Sequence, residues 1–289
     1  MYSDSSLSSD GRYVCLRVGS RWYFYDSMSL PLGSGAVGVV YLGYSCDRGD
    51  PVAIKAVRPE YAAVWQVRQR VKAEASMTFF HPNLIRMLGY CEPDPVSGPL
   101  YALSGYVEGV TLDTYCTYWL HACNEKERVR TVVSCVIPVL HALDYLHAQG
   151  IVHRDVKPSN VMMAHYTDPV LMDLGVAQLP AEEPVGESRF IGTALYAPPE
   201  LVYGQRAVPQ TDVYSAGVML FELIAGYNPF NADTQESILS MQLNDSLPRN
   251  RSIPRGLRKI LLKATEKDVD KRYVSAMQFA DELKSFIER

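Results

Sequence analysis

A glycine-rich segment near the start of the chain has the composition of a phosphate-binding loop. Gly33, Gly35 and Gly38 leave backbone N–H groups uncovered by side chains, so the chain can lie against phosphate oxygens and donate hydrogen bonds to them. The residues that follow, Val39-Val40-Tyr41-Leu42, favour a strand, whereas the glycines of dinucleotide-binding folds lead into a helix. Taken alone, the same segment is also compatible with a tight turn that binds nothing. The strand after the glycines favours a hairpin that lies over phosphates.

Two charged residues further along the chain are placed to act on a phosphate. Lys55 ends the apolar strand segment 52–55, and Glu74 follows it on a predicted helix over residues 62–79. A carboxylate that pairs with this lysine keeps it charged and in position to hold a phosphate. Without such a partner, a lysine at a strand end more often reaches into solvent. The combination of Lys55 and Glu74 therefore favours a phosphate-binding cation.

Two loops in the middle of the chain carry acidic and amide groups close together. The segment His153-Arg154-Asp155-Val156-Lys157-Pro158-Ser159-Asn160 puts an acid, a base and an amide into one short loop after a predicted helix. Asp173 ends an apolar run and is followed by Leu174 and Gly175. A polar surface turn is the alternative for the first loop, and an ordinary turn residue is the alternative for Asp173. The order of residue types in the first loop, with little solvating Gly or Ser, favours chemistry over a surface turn.

The hydrophobic pattern assigns these segments to a β-rich first third and an α-rich remainder, which meet near residues 105–110. Alternating apolar and polar residues over 12–26, around Gly19-Ser20, predict a β-hairpin, and the Ser-rich residues 1–10 are expected to be disordered. Strands are predicted over residues 84–90 and 100–107. Apolar residues at helical spacing predict helices over residues 125–149, 212–225, 253–266 and 275–288. Pro138 is expected to kink the first of these helices.

In this order and at these separations, the four segments resemble the eukaryotic-type protein kinase family. The resemblance continues through residues 192–200, like the end of an activation segment, through 212–218, like the large helix of the C-terminal lobe, and through 268–272. It implies an α+β, bilobal protein kinase fold: a small β-rich N-terminal lobe with one main helix, a larger α-rich C-terminal lobe, and an ATP cleft between them. Residues 1–26 would form an N-terminal extension, 27–104 the N-terminal lobe, 105–110 the hinge and 111–289 the C-terminal lobe.

The resemblance implies how the nucleotide is bound and activated. Asp155 would accept the proton of the attacking hydroxyl, Lys157 would neutralise charge on the transferred phosphoryl group, and Glu74 would orient Lys55 toward the α- and β-phosphates. Ser104 would be the gatekeeper beside the adenine, and its small size would leave an apolar-lined recess there. The residues expected to bind ATP are Leu32, Gly33, Ser34, Gly35, Ala36, Val37, Gly38, Val40, Ala53, Lys55, Ser104, Tyr106 and Val107.

The resemblance also indicates the metal and the substrate class. Asn160 and Asp173 would hold Mg²⁺, with Mn²⁺ as an alternative, because such hard cations prefer oxygen ligands. Lys157 and Thr193 are typical of kinases that phosphorylate serine and threonine on proteins, so an ATP-dependent Ser/Thr protein kinase is expected. The alternatives are a pseudokinase, which binds nucleotide or partners without chemistry, and, with less support, a small-molecule kinase. Compact loops favour a bacterial member of the family.

Other motif residues are expected to regulate or support the site. Arg154 resembles the arginine with which many family members bind a phosphate on their own activation segment, and Ser188 is the candidate for that phosphorylation. Glu200 and Arg272 are placed like a buried ion pair that ties the segment to the lobe. Asp212 begins the segment that resembles the large helix of that lobe.

Composition restricts the remaining function classes. The chain has 289 residues, 47% of them hydrophobic, and 28 Lys and Arg against 32 Asp and Glu, giving a net charge of −4. This balance, with no basic blocks, disfavours nucleic-acid binding. No membrane span or secretory signal is predicted. The six cysteines lack metal-binding spacing, so reduced thiols and a cytoplasmic location are expected, while the sequence leaves the oligomeric state open.

Overall fold

The computed structural model describes residues 5–7, 11–95, 98–120, 122–174, 177–178 and 193–289 of the chain. The contacts within the chain divide it into two compact units. Unit 1 comprises Met1–Phe80 and Ile85–Val107, and unit 2 comprises His81–Leu84 and Glu108–Arg289. The boundary after Val107 lies within the segment 105–110 that the family resemblance assigns to the hinge.

Unit 1 is built on one antiparallel sheet. Its strands are β1 (Ser5–Leu7), β2 (Tyr13–Val18), β3 (Arg21–Asp26), β4 (Gly33–Ser34), β5 (Gly38–Ser45), β6 (Pro51–Val57), β7 (Met87–Cys91) and β8 (Tyr101–Gly105). They form an eight-stranded sheet in the order β1-β2-β3-β5-β6-β8-β7, and β4 pairs with β5. The sheet curls so that β2 also contacts β7. The two strands predicted over residues 84–90 and 100–107 are present as β7 and β8, with different bounds.

The N-terminal hairpin is part of this sheet. Val18 pairs with Arg21, so Gly19 and Ser20 form the predicted two-residue turn, and Gly19 has the positive φ of +59° that such a turn needs. Strand β3 continues the sheet by pairing with β5. The expectation that residues 1–10 are disordered is wrong for Ser5–Leu7, which pair with β2 as strand β1. The edge of β2 offers backbone N–H and C=O groups that a neighbouring strand can satisfy.

Apolar residues fill both faces of the sheet. One core cluster consists of Val14, Leu16, Tyr23, Tyr25, Val52, Ile54, Cys91 and Leu103. A second cluster packs the helical segment of unit 1 against the opposite face. The helix predicted over residues 62–79 is wrong in its bounds, because Val64 is extended and separates two helices, α1 (Pro59–Ala62) and α2 (Trp65–Ala75). Ala62 and Ala63 are strong helix formers, so the sequence pattern did not indicate this break.

Unit 2 contains the longer helices. They are α3 (Leu112–Tyr118), α4 (Glu125–His147), α5 (Pro199–Val202), α6 (Pro209–Ala225), α7 (Gln235–Asn244), α8 (Arg255–Ala264) and α9 (Ala276–Ile287). The four helices predicted from apolar spacing are present as α4, α6, α8 and α9, with ends shifted by a few residues. Asn124 and Glu127 form a capping box that begins α4, and Gly150 with φ +75° follows its end.

Helix α4 lies in the core of unit 2. By length and composition it could cross a membrane. Its apolar stripe is nevertheless packed inside the protein, since Val132, Val136, Leu140 and Leu143 have no exposed surface. The helix continues through Pro138 as a single element. We therefore describe α4 as the core helix that the sequence pattern predicts.

A small sheet in unit 2 positions the two loops that carry Asp155 and Asp173. Strands β9 (Gly109–Thr111), β10 (Val161–Ala164) and β11 (Asp168–Leu171) form an antiparallel sheet in the order β11-β10-β9. The loop 153–160 leads into β10, and Asp173 follows β11. Because antiparallel neighbours run in opposite directions, the start of β10 and the end of β11 lie side by side. The sheet therefore brings Asp173 to the loop that carries Asp155.

Candidate active site

Strand register brings four of the predicted ATP-binding residues to one face of the sheet in unit 1. Lys55 on β6 lies opposite Val40 on β5, and Ala53 lies opposite Ser104 on β8. Side chains alternate along a strand and cross-strand partners share a face, so these four side chains lie on the same side. Ile54, between them, is fully buried in the core on the other side. One surface of unit 1 therefore carries the residues expected to contact a nucleotide.

Helix α2 packs on the face that carries Lys55. Val71 and Ala75 of this helix belong to the same core cluster as Ala102 of β8. Ala102 lies directly opposite Lys55 and so on its face of the sheet. Glu74 of α2 is buried, with 7% of its surface exposed. Glu74 and Lys55 thus lie on the same side of the sheet, as a pair between them requires.

The glycine-rich segment forms the predicted hairpin between β4 and β5. The Gly35 N–H donates to the Gly38 carbonyl oxygen at 2.9 Å and closes the turn. A Cβ atom on Gly38 would lie 2.6 Å from the carbonyl oxygen of Ala56, so this position requires glycine. The Gly35 N–H is therefore already used within the turn. Among the described residues, the N–H groups of Ala36 and Val37 at the tip have no backbone acceptor.

Arg58 holds this hairpin against the end of β6. Its guanidinium donates to Ser34 Oγ at 2.9 Å, and its backbone N–H donates to the Val37 carbonyl oxygen at 2.9 Å. The sequence analysis did not identify Arg58, because a lone arginine after a strand carries no motif. Its contacts with both sides of the hairpin restrict where the glycine-rich turn can lie.

Four of the predicted catalytic and metal-binding residues are in contact within unit 2. Three of them bind the side chain of the fourth, Asp155. Lys157 Nζ lies 2.7 Å from Asp155 Oδ2 and donates to Thr193 Oγ1 at 2.7 Å. Thr193 donates to Asp155 Oδ1 through its hydroxyl at 2.8 Å and its backbone N–H at 3.2 Å. The structure thus joins residues that lie 38 positions apart in the sequence. We call Asp155, Lys157, Asn160 and Thr193 the Asp155 cluster.

Asn160 completes the Asp155 cluster and leaves an oxygen for a cation. Its Nδ2 group donates to the Asp155 backbone oxygen at 2.8 Å and to Asp155 Oδ2 at 2.9 Å. Both amide hydrogens are therefore used, and the amide oxygen is the part of the side chain left to bind a ligand. The contacts of the Asp155 carboxylate with Lys157, Asn160 and Thr193 are all made by donor groups, which suits a carboxylate that accepts a proton.

Asp173 follows a residue whose backbone is hydrogen-bonded to Asn160. The Met172 N–H donates to the backbone oxygen of Asn160 at 2.8 Å, so the residue before Asp173 is tied to the Asp155 cluster. Asp173 itself has φ +54°, a left-handed conformation that costs about 1–3 kcal/mol for a residue other than glycine. The carboxylate of Asp173 and the amide oxygen of Asn160 are hard oxygen donors, and they fit a divalent cation such as Mg²⁺.

Buried Asp212 supports the backbone of the same loop. Its carboxylate accepts hydrogen bonds from the backbone N–H groups of His153 at 2.8 Å and Arg154 at 2.9 Å, and lies 2.7 Å from His147 Nε2. Burial alone would raise the pKa of Asp212, but the contacts with His147 and His153 hold it below its ordinary value. These bonds fix Arg154 at φ +64°, the second strained position beside the site.

The ring of His153 links the two polar loops. Its Nε2 lies 3.0 Å from the Met172 carbonyl oxygen, which can only accept, so Nε2 carries the proton. Its Nδ1 then accepts from the Asp155 N–H at 3.3 Å. Through these two bonds one imidazole sets the backbone of Asp155 relative to the residue before Asp173.

The ion pair expected between Glu200 and Arg272 is present and buried. Arg272 donates to Glu200 Oε1 at 2.8 Å and to Oε2 at 2.7 Å, with side-chain exposures of 0% and 3%. Thr211 also donates to Glu200 at 2.9 Å, and Arg272 donates to the Gln210 carbonyl oxygen at 2.9 Å. The pair fastens α5, which follows Thr193 by a few residues, to the start of α6 and to the C-terminal part of unit 2.

The remaining predicted site residues divide between described and undescribed positions. Leu32 precedes β4, with 46% of its surface exposed, and Tyr106 and Val107 follow β8 in unit 1. Ser188, with Gly175 and Gly192, lies outside the described residues.

Comparison with known proteins identifies the same family as the sequence motifs. The family model described as the protein kinase domain matches residues 27–283. The serine/threonine-protein kinase PrkC of Bacillus subtilis is 30% identical over 282 residues, which cover 95% of this chain and 40% of PrkC. The serine/threonine-protein kinase PknB of Mycobacterium tuberculosis is 30% identical over 262 residues, covering 87% of this chain and 41% of PknB. This chain spans about two fifths of the length of these curated relatives. The match across most of the sequence, together with the sheet of unit 1 and the Asp155 cluster of unit 2, establishes that the chain belongs to the protein kinase family.

Proposed function

We propose that this chain transfers the γ-phosphoryl group of ATP to serine and threonine hydroxyls of proteins. The single observation that carries the proposal is the Asp155 cluster, in which an acid, a lysine, an amide and a threonine hydroxyl are joined by hydrogen bonds. Phosphoryl transfer has a loose transition state, so the protein mainly has to position groups and neutralise charge. A cluster of fixed donors around one carboxylate is suited to that task.

Asp155 is the group that accepts the proton of the substrate hydroxyl. Lys157 and Asn160 contact one oxygen of its carboxylate and Thr193 contacts the other, so its orientation is set before a substrate arrives. Lys157 also supplies positive charge close to that carboxylate, where it can offset charge on the transferred group. The role of Thr193 favours serine and threonine over tyrosine, by resemblance to Ser/Thr kinases.

Residues on the other polar segments bind the nucleotide and the metal. Lys55, with Glu74 beside it on the same side of the sheet, binds the α- and β-phosphates, and the hairpin tip at Ala36 and Val37 donates to phosphate oxygens. Asn160 and Asp173 hold the divalent cation, which we take to be Mg²⁺, with Mn²⁺ as an alternative. When bound, that cation neutralises phosphate charge in the transition state.

The proposed setting is the cytoplasm, with proteins as substrates. The described cysteines form no disulfide, which agrees with a reducing compartment. The net charge of −4 gives no electrostatic reason for nucleic acid to bind. The relatives named above are serine/threonine-protein kinases of bacteria, and their names support this substrate class for the present chain.

The test is phosphoryl transfer by the purified chain with Mg²⁺ and ATP. Phosphate on the protein, and on peptides that differ only in Ser, Thr or Tyr at the acceptor position, is measured by mass spectrometry. We expect transfer to Ser and Thr peptides, and a loss of about 10²- to 10⁴-fold or more in Asp155→Asn and Asp173→Asn. Asp281→Asn, the same change at an exposed aspartate of α9, is the matched control and retains activity.

The alternatives give different results in the same assay. A pseudokinase binds ATP without forming phosphoprotein or phosphopeptide. A small-molecule kinase consumes ATP only when a metabolite is supplied. Transfer by Asp155→Asn at the rate of the unsubstituted protein would refute the role of Asp155 and with it the proposal.

A further inference from the structure

Arg68 on α2 is a buried arginine with all five N–H donors in use. Its Nε and one terminal nitrogen donate to Glu92 Oε1 at 3.0 and 2.8 Å. The other donors reach backbone carbonyl oxygens, those of Ala62 and Gly98 at 2.8 Å each and that of Asp94 at 2.7 Å. Only 2% of Arg68 is exposed. A guanidinium that is fully hydrogen-bonded inside a protein holds its surroundings in one arrangement.

Glu92 receives a second cation from the same helix. Lys72, one helical turn after Arg68, donates to Glu92 Oε2 at 2.7 Å and lies over the ring of Tyr90 at 5.3 Å. Burial alone would raise the pKa of Glu92, but hydrogen bonds from Lys72 and Arg68 hold it below its ordinary value. One carboxylate just beyond β7 thus binds two side chains of α2.

These contacts join three parts of unit 1 to the helix that carries Glu74. Ala62 ends α1, Glu92 and Asp94 follow β7, and Gly98 precedes β8. The first turn of α2 has no side-chain cap, since its N-cap residue is Val64. The Arg68 contacts are therefore a major polar attachment of α2 to the segment between β7 and β8.

We propose that Arg68 is a positioning residue, which fixes α2 on the sheet and thereby sets Glu74 for its contact with Lys55. The inference rests on the proposed function, in which Glu74 orients Lys55. Removing the guanidinium leaves the carbonyl oxygens of Ala62, Asp94 and Gly98 without this donor, so the helix can shift. A displacement of about 1 Å at a group that positions a substrate can lower the rate about 100-fold.

The test is a double-variant cycle on the full chain, with kcat and KM for ATP measured for each protein. Glu74→Gln is expected to lower kcat/KM for ATP about 100-fold in the otherwise unsubstituted protein, and Arg68→Met by a similar factor. If Arg68 acts through Glu74, adding Glu74→Gln to Arg68→Met costs less than about tenfold more. A residue that only stabilised the fold would give losses that multiply.

Two further variants keep the result interpretable. Gln69→Met changes the exposed neighbour of Arg68 on the same helix and is expected to leave both constants unchanged. Glu92→Gln keeps the shape of the carboxylate but weakens its hold on Arg68, and it replaces Arg68→Met in the cycle if that protein does not fold. Thermal melting of each variant shows that the assays are run on folded protein.

The outcomes separate this inference from the proposed function. Losses that multiply fully in a folded double variant overturn the positioning role of Arg68, while the role of Glu74 stands. A Glu74→Gln protein with unchanged kinetics removes the role of Glu74, and the role of Arg68 falls with it. Activity that survives Asp155→Asn is a failure of the proposed function itself.

Discussion

The hydroxyl of Thr193 links the two charged members of the Asp155 cluster. It accepts a hydrogen bond from Lys157 Nζ at 2.7 Å and donates one to Asp155 Oδ1 at 2.8 Å. The Thr193 side chain therefore bridges the carboxylate of Asp155 and the ammonium group of Lys157. Its hydrogen bond restricts the orientation of that carboxylate. In this arrangement a threonine has a chemical task that a valine of the same shape cannot perform.

Replacing Thr193 with valine tests this task. Thr193→Val keeps the branched shape but removes both side-chain hydrogen bonds, so we expect kcat to fall about 100-fold because the Asp155 carboxylate loses one of the donors that orient it. The KM for ATP is expected to change little, since Thr193 is not among the residues expected to bind the nucleotide. Steady-state phosphorylation of a Ser peptide measures both constants. Thr193→Ser retains the hydroxyl and is expected to stay close to the parent activity, whereas equal rates for the valine variant and the parent would contradict the argument.

The site residues differ in how far the sequence could indicate them. Asp155, Lys157 and Asn160 fall within six positions of one another, so their residue types alone mark a polar loop. Thr193 could be assigned only through the family resemblance, because 38 residues separate it from Asp155. Arg68 left no signal, because three of its five bonds go to backbone carbonyl oxygens, which every residue type provides.

The N-terminal hairpin lies outside the family match but inside the core of unit 1. The match begins at residue 27, whereas the hairpin of β2 and β3 spans Tyr13–Asp26. Even so, Val14 and Leu16 of β2, with Tyr23 and Tyr25 of β3, make up half of the core cluster on that face of the sheet. Strand β3 bonds directly to β5, which continues from the glycine-rich hairpin.

A substitution in β2 distinguishes a core hairpin from a dispensable extension. Leu16 has no exposed surface, so Leu16→Ala is expected to lower the free energy of unfolding by about 2–5 kcal/mol through lost burial and a cavity. Arg17→Ala, at the exposed neighbouring position, is expected to stay within about 0.5 kcal/mol of the parent. Urea unfolding curves measure both. If the hairpin packs only loosely, the two variants unfold at the same urea concentration as the parent.

Local signals predicted the elements, and long-range pairing determined how they are arranged. The turn at Gly19 and Ser20 was predictable because turn residues and alternation are features of neighbouring positions. The pairing of β3 with β5 was not, since it depends on backbone groups that residue types do not identify. The break at Val64 was missed for a related reason, because the good helix formers before it continue the helical pattern.

On the scale of the whole molecule, the partly buried side chain of Lys267 is expected to make the free energy of unfolding depend on pH. Lys267 Nζ donates to the Tyr214 hydroxyl at 2.7 Å and to the Gln242 carbonyl oxygen at 2.6 Å, and it lies over the rings of Tyr214 and Phe230. Burial, and then the nearby positive charge of Arg272, lower its pKa from 10.5 to about 8. The folded chain thus releases this proton at a lower pH than the unfolded chain does.

The sign of the effect follows from proton binding. Below pH about 8 both states hold the Lys267 proton, and between about 8 and 10.5 only the unfolded state holds it, so stability rises with pH in this range. Burial raises the pKa values of Cys116 and Cys135 in the folded state from the ordinary 9.0 to about 12 and about 11, so these thiols lower stability as the pH rises above 9. The effect of Lys267 is therefore best measured between pH 7 and 9, below the range in which the cysteines oppose it.

Thermal melting across that range tests the effect against Lys267→Met. Methionine keeps an unbranched apolar chain over the two rings but has no proton to lose, so contributions from all other groups cancel in the comparison. We expect the melting temperature of the parent to rise relative to that of Lys267→Met as the pH goes from 7 to 9. Burial disfavours the charged form of Lys267, and that form is lost as the pH rises. The melting temperature of the variant should therefore be lowest relative to the parent at pH 9. Parallel curves for the two proteins would mean that Lys267 titrates alike in the folded and unfolded chains.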